Sequence, residues 1–178
     1  MTRPPHALRV LLGLVLVAGS ALACGTASGK AATSKTGLSA EFKAGADTLF
    51  KFVDEQLRIS RDDATRDTHA QEARRQLQAL RSQVTTDADG SVLLLLANFM
   101  GKVNQRLILE FMGQQNLGSM RTIKSEMSSL RVQAADCDSE LRLWLASSPG
   151  EQKYLEGPCL KEVRAAAATL NLQPARGR

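Results

Sequence analysis

The chain has 178 residues, of which 23 are basic, 18 acidic and two histidine, for a formal charge of +5, and only 4% are aromatic. Acidic and basic side chains alternate along it, so it carries neither a concentrated basic stripe for a nucleic-acid backbone nor a platform on which bases could stack. The sequence also lacks a Cys-x-x-Cys-His haem site, a Gly-x-Ser-x-Gly nucleophile elbow and a glycine-rich phosphate loop.

At the N-terminus Arg3 and Arg9 lead into an uncharged apolar run at residues 10–17, then the small residues Ala18-Gly19-Ser20-Ala21-Leu22-Ala23, which end at Cys24. A basic start, a short apolar stretch and small residues before a cut are what an export signal requires. The run is too short to span a bilayer, which takes about 20 apolar residues. Removing the signal takes away Arg3, Arg9 and His6, leaves charge nearly balanced, and makes His69 the single histidine of the mature chain.

With its lipobox-like Ala21-Leu22-Ala23-Cys24, this segment resembles a bacterial lipoprotein precursor, although Ala21 stands where that family usually has leucine. The resemblance covers residues 1–24 only. It implies lipidation of Cys24, which becomes the new N-terminus, and a protein held by its acyl chains at an envelope membrane, facing the periplasm or the outside. Gly25 follows the cysteine where an aspartate retains the lipoproteins of enteric bacteria at the inner membrane, so the resemblance points to the outer membrane. Ala21-Leu22-Ala23 equally fits the A-x-A site of ordinary signal peptidase, and a cut there would release a secreted protein with an unmodified Cys24.

Residues 25–37 contain no large apolar side chain and form the expected tether, a flexible coil about 20 Å across. The expected organisation is thus a signal peptide at 1–23, the lipidated cysteine and tether at 24–37, a helical domain at 38–173 and a frayed tail at 174–178. Within the domain Phe42, Ala46, Leu49, Phe50, Val53 and Leu57 recur at steps of three and four, which predicts a first helix with Ser39 as N-cap. Ala70, Ala73, Leu77, Leu80 and Val84 predict a second. Its start has two candidates, Ser60 followed by Asp62 and Asp63, or a capping box of Thr68 with Gln71. Thr86-Asp87-Ala88-Asp89-Gly90 then reads as a turn.

A third helix is expected from about Ser91 to Asn116, carrying Leu93, Leu96, Phe99, Met100, Val103, Leu107 and Phe111, the most apolar and deepest of the set. Gly113 and Gly118 are its expected terminators. In the fourth, Met120, Ile123, Met127, Leu130, Ala134, Cys137, Leu141 and Trp144 alternate steps of three and four, the pattern of a narrow packing seam. Ser147-Ser148-Pro149-Gly150 is a turn signal, and a last helix starts near Pro158 with Val163, Ala166, Ala167 and Leu170. Strand signals are nearly absent. The expected fold is therefore all-α, an antiparallel bundle of four long helices plus a shorter C-terminal helix.

Three cysteines are an odd number for an exported chain. Lipidation would account for Cys24 and leave Cys137 and Cys159 to form a disulfide, brought level by the turn at Ser148 and stabilising by roughly 3 kcal/mol. The alternative is two buried free thiols.

No catalytic residue, metal site or cofactor is expected. His69 has Asp67 and Glu72 near in sequence, but no nucleophile signature accompanies it, and it reads as a solvated side chain on a polar face. The order His69-x-x-Glu72 occurs once and reversed from a di-iron motif, Asp87-Ala88-Asp89-Gly90 lacks the later glutamate of a calcium loop, and Met100, Met112, Met120 and Met127 read mainly as core filler. Asp62 and Arg66 read as a surface pair. The expected partners are the lipid bilayer through Cys24 and an envelope protein, with a homodimer open and no nucleic acid. A non-enzymatic interaction or scaffold domain leads, ahead of a ligand-binding or sensor bundle with a pocket beside Trp144. An enzyme, whose proton transfers would all fall on His69, comes last.

Overall fold

The computed structural model describes residues 37–171, with side chains as far as Ala168. The expected signal peptide, Cys24, most of the expected tether and the expected tail lie outside the described residues. Every regular element among those described is helical, and no strand occurs among them, so the domain belongs to the all-α class.

Helix α1 (Ala40–Phe52) buries Phe42, Ala46, Leu49 and Phe50, the face that the three-and-four spacing defines. Ser39 takes the N-cap position, yet its hydroxyl donates to Asp89 on another helix instead of capping its own. The helix then widens into a π turn (Val53–Leu57), closed by Arg58 N donating to Val53 O at 2.8 Å. Periodicity gave no sign of this turn, because Val53 and Leu57 stay buried through it.

Of the two candidate starts for α2 (Asp63–Arg81), the earlier one forms. Asp62 accepts from Thr65 N at 2.8 Å and from its hydroxyl at 2.7 Å, and a carboxylate that satisfies an orphan amide beside a helix N-terminus is a strong start. The Thr68–Gln71 capping box is therefore a misreading. Thr68 lies inside the helix, where its hydroxyl donates back to Ala64 O.

The next correction is larger. The segment read as a turn is the first turn of α3 (Asp87–Gln114), which begins four residues before Ser91. Thr86 and Asp89 form a reciprocal capping box, with Asp89 N donating to Thr86 Oγ1 at 3.0 Å and Thr86 N donating to Asp89 Oδ2 at 3.1 Å. Aspartates that look like turn formers in isolation also suit the positive end of a helix dipole, and that use prevails here.

By length and composition α3 is apolar enough to cross a membrane. Here it runs beside α1, α2 and α4 and buries Val92, Leu95, Leu96, Phe99, Val103, Leu107 and Phe111. It does not stop at Gly113, which lies inside the helix. Asn116 instead takes the left-handed conformation (φ 55°), with Leu117 N donating to Met112 O at 2.9 Å and Asn116 N to Gly113 O at 3.2 Å, a Schellman ending.

Helix α4 (Met120–Ala146) returns antiparallel to α3, and its seam is buried at Ile123, Leu130, Ala134, Cys137, Leu141 and Trp144. Met120 departs from the expectation by standing 43% exposed, and Met127 is only half-buried. The expected turn at Ser147 to Gly150 is itself a short helix, α5 (Pro149–Gln152), started by a Ser148–Glu151 capping box. Finally α6 (Pro158–Asn171) packs on α3 and α4.

Cys137 and Cys159 stand at disulfide distance, with Cα atoms 5.1 Å apart, and Asn98 Nδ2 points at both sulfurs (3.6 and 3.3 Å). The bridge closes a loop with a sequence separation of 22. Reduction is expected to cost about 3 kcal/mol and lower the melting temperature by roughly 10 °C in calorimetry with and without reductant. α6 should remain docked, because Lys102 Nζ to Glu162 (2.8 Å) and Arg164 Nη2 to Ser91 Oγ (3.0 Å) also hold it.

Candidate functional site

The residues singled out in the sequence do not converge on one centre. His69 is half-buried rather than solvated, because the corner between the π turn and α2 folds over it. Its Nδ1 shares a hydrogen bond with Ser60 Oγ (2.9 Å), and its ring meets the Phe52 ring edge-on at 5.9 Å between centroids. Ser60 is itself buried, and its hydroxyl also donates to Gln56 O at 3.0 Å. The pair fastens the end of the π turn to α2. Asp67 pairs with Arg66, and Glu72 accepts two bonds from Arg75 and one from Gln76, which hold its carboxyl at about 2, well below the usual range.

Asp62 and Arg66 are not the expected surface pair either. With Asp62 occupied as a cap, Arg66 is buried, donating to Asp63 (3.0 Å) and across to Asn104 Oδ1 on α3 (3.1 Å). Among the described residues, no three of His, Cys, Asp and Glu gather as a metal-binding group. Met100 packs on the main core, Met120 lies beside Gly113 where α3 and α4 meet, and Met112 and Met127 are half-buried on those two helices.

That meeting point is the first of two surfaces with functional geometry. The last hydrogen bond from α3 toward the π turn and α2 is Arg106 Nη2 donating to Arg58 O at 3.3 Å. Beyond it α3 and α4 run on as a hairpin for about eight residues, or about 12 Å. Ile123 and Leu130 are buried in this hairpin, separate from the main core. At its end Leu117 is 49% exposed, next to Met120. Residues 105–131 carry Arg106, Arg121, Lys124 and Arg131 against Glu110 and Glu126, while the rest of the described chain has more carboxylates than cations. Burial, with smaller contributions from the charges of Arg58 and Arg131, pushes the Arg106 guanidinium below its ordinary value against the opposing pull of Glu110.

The second surface is a cleft of about 520 Å³ at the opposite end of α3. Asp87, Ala88 and Ser91 come from the first turn of α3, Trp144 from the end of α4, and Lys153 to Glu156 from the connection into α6. Gln152 fixes this arrangement from within. Its Oε1 accepts from Leu38 N at 2.9 Å, and its Nε2 donates to Trp144 O and Ser147 O, both at 3.0 Å. The sequence suggested Trp144 as a pocket residue, and the structure places it against this cleft. It did not suggest Gln152, Tyr154 or Arg164. The pattern Ser148-Pro149-Gly150-Glu151 holds the one available signal, a capping box that starts α5 and so aims Gln152 inward.

No family model, curated protein or solved structure matches this chain.

Proposed function

We propose that the protein is a bacterial envelope lipoprotein, acylated at Cys24 and more often at the outer than the inner membrane, whose helical domain acts as a non-enzymatic interaction or scaffold module. In this reading the architecture is an antiparallel bundle of four long helices with a shorter C-terminal helix. The observation that supports it is the α3–α4 hairpin tip, where Leu117 and Met120 are exposed beside Arg121 and Lys124. Apolar side chains rimmed by cations fit a helix of another envelope protein that carries an apolar face and acidic flanks. A second copy of this chain is a poorer match, since two tips would bring like charges together.

A photocrosslinker at Leu117, compared with one at the exposed Val132 of α4, tests the surface in native envelopes. The expected product joins position 117 to one acidic protein, and Met120→Asp with Arg121→Glu should reduce it tenfold or more. Products that are equal from both positions, or that survive the double substitution, would remove the tip from consideration. Crosslinks between copies would identify a homodimer instead. Intact mass of the native protein tests the anchor, because an unmodified Cys24 terminus would make this a secreted soluble protein.

The cleft beside Trp144 favours a second reading, a small-ligand-binding or sensor bundle. Its volume falls in the usual range for ligand sites, roughly 300–1,000 Å³.

A further inference from the structure

The chemistry of the cleft is mixed in a specific way. Trp144 is only 4% exposed and lines the cleft, and its indole N–H has no acceptor among the described residues. A buried indole N–H ordinarily finds a partner. Arg164 projects from α6 with its guanidinium held by Ser91 Oγ (3.0 Å) and its Nη1 3.7 Å from Glu156, which leaves other donors of the fork open. Ser91 is buried and donates in turn to Asp87 O at 3.0 Å, so Arg164 rests on a fixed support. Lys153 Nζ lies 4.7 Å over the Tyr154 ring. Among the described residues neither Lys153 nor Asp87 has an opposite charge within ion-pair distance.

A simple anion would meet the Asp87 and Glu156 carboxylates, and a simple cation would meet Arg164 and Lys153. A molecule carrying both charges satisfies each. Building on the ligand-binding reading, we propose that the cleft binds a short peptide with free termini. Its carboxylate is taken by Arg164, Lys153 and the Trp144 N–H, its ammonium by Asp87, and its body lies against Trp144, Ala88 and Leu155. Guanidinium forks suit carboxylates, and charge-assisted bonds of this kind are the stronger ones. The cleft also offers more room than one amino acid fills, which favours two or three residues.

The chain has a single tryptophan, so its fluorescence reports on the site directly. The test titrates the purified full chain with Ala-Ala and Gly-Phe, with their N-acetylated and C-amidated forms, and with free alanine. Saturable changes with the free dipeptides, at least tenfold weaker binding of either blocked form and weaker binding of alanine are expected. Asp87→Asn and Lys153→Gln, both exposed positions, should each weaken the free dipeptides tenfold or more with melting temperature unchanged. Blocked and free peptides binding alike would overturn the zwitterion assignment while leaving ligand binding in place. No response to any of these peptides or to a broad compound library would remove both.

Discussion

Gly157→Ala should destabilise the domain by about 3 kcal/mol or more, a large fraction of the stability of an ordinary domain. A Cβ at this position would lie 2.2 Å from Cδ and Oε1 of Glu140 and 2.6 Å from its Cγ. Glu140 is buried on α4, and its carboxylate accepts from Cys159 N at 2.6 Å and Leu160 N at 3.0 Å. Those amides belong to the first turn of α6, where no intrahelical acceptor exists. Glu140 is thus a cap supplied from another helix, and the absent side chain of Gly157 is what lets it reach. The carboxylate could swing aside, but doing so abandons two buried amides and leaves a charge without its donors. In Glu140→Ala the space is free, so Gly157→Ala should cost little there. A double-mutant cycle by chemical denaturation should give a coupling of nearly the whole of that cost, about 3 kcal/mol, and simple additivity would show that the two residues do not compete.

The second large effect belongs to Asp89. Its side chain has 0% exposure and accepts from Ser39 N (2.9 Å), Ser39 Oγ (3.1 Å), Thr85 N (3.0 Å), Thr85 Oγ1 (3.1 Å) and Thr86 N (3.1 Å). One carboxylate therefore joins the starts of α1 and α3. Asp89→Ala leaves three amides without partners and is expected to cost about 4 kcal/mol. Burial pushes this carboxyl upward, but the amides of Thr85 and Ser39 with their hydroxyls outweigh it and hold it below 3.8. A depressed carboxyl contributes stability that is complete above its unfolded value and lost as pH falls through the folded one. Melting temperature should accordingly fall below about pH 4, and Asp89→Asn should be less stable at neutral pH with a flatter acid limb. An acid limb identical in Asp89→Asn would assign the loss to other carboxylates.

These two contacts also explain what the sequence could and could not disclose. Helix faces were legible because burial imposes a period: Phe42 to Leu57 and Leu130 to Trp144 emerge from spacing alone. The cysteine pair was legible from counting. Element starts were harder, since Asp89 reads as a turn residue until Ser39, 50 positions away, is seen to need its carboxylate. Glu140 likewise reads as a solvated acid on α4, and nothing local announces that it caps α6. His69 was misjudged for the same reason, because Ser60 and Phe52 surround it only after the chain turns a corner. The cleft draws on five separated segments, so the sequence marked only Trp144 for a pocket, and Asp87 drew notice only as part of an incomplete calcium loop.

The π turn at Val53–Leu57 gives this corner its phase. Each residue of an α-helix rotates the chain by about 100°, and a π turn accommodates one residue beyond the regular winding. Winding Val53–Leu57 as a regular helix without losing a residue would rotate everything downstream, so that Ser60 would no longer face His69 and the Arg58 carbonyl would turn away from Arg106. Removing one residue takes out the one that the wide turn absorbs and leaves α2 close to its present phase. Substitutions that drive this stretch into regular α winding, rather than a single deletion, are what would unlatch α2 from its neighbours.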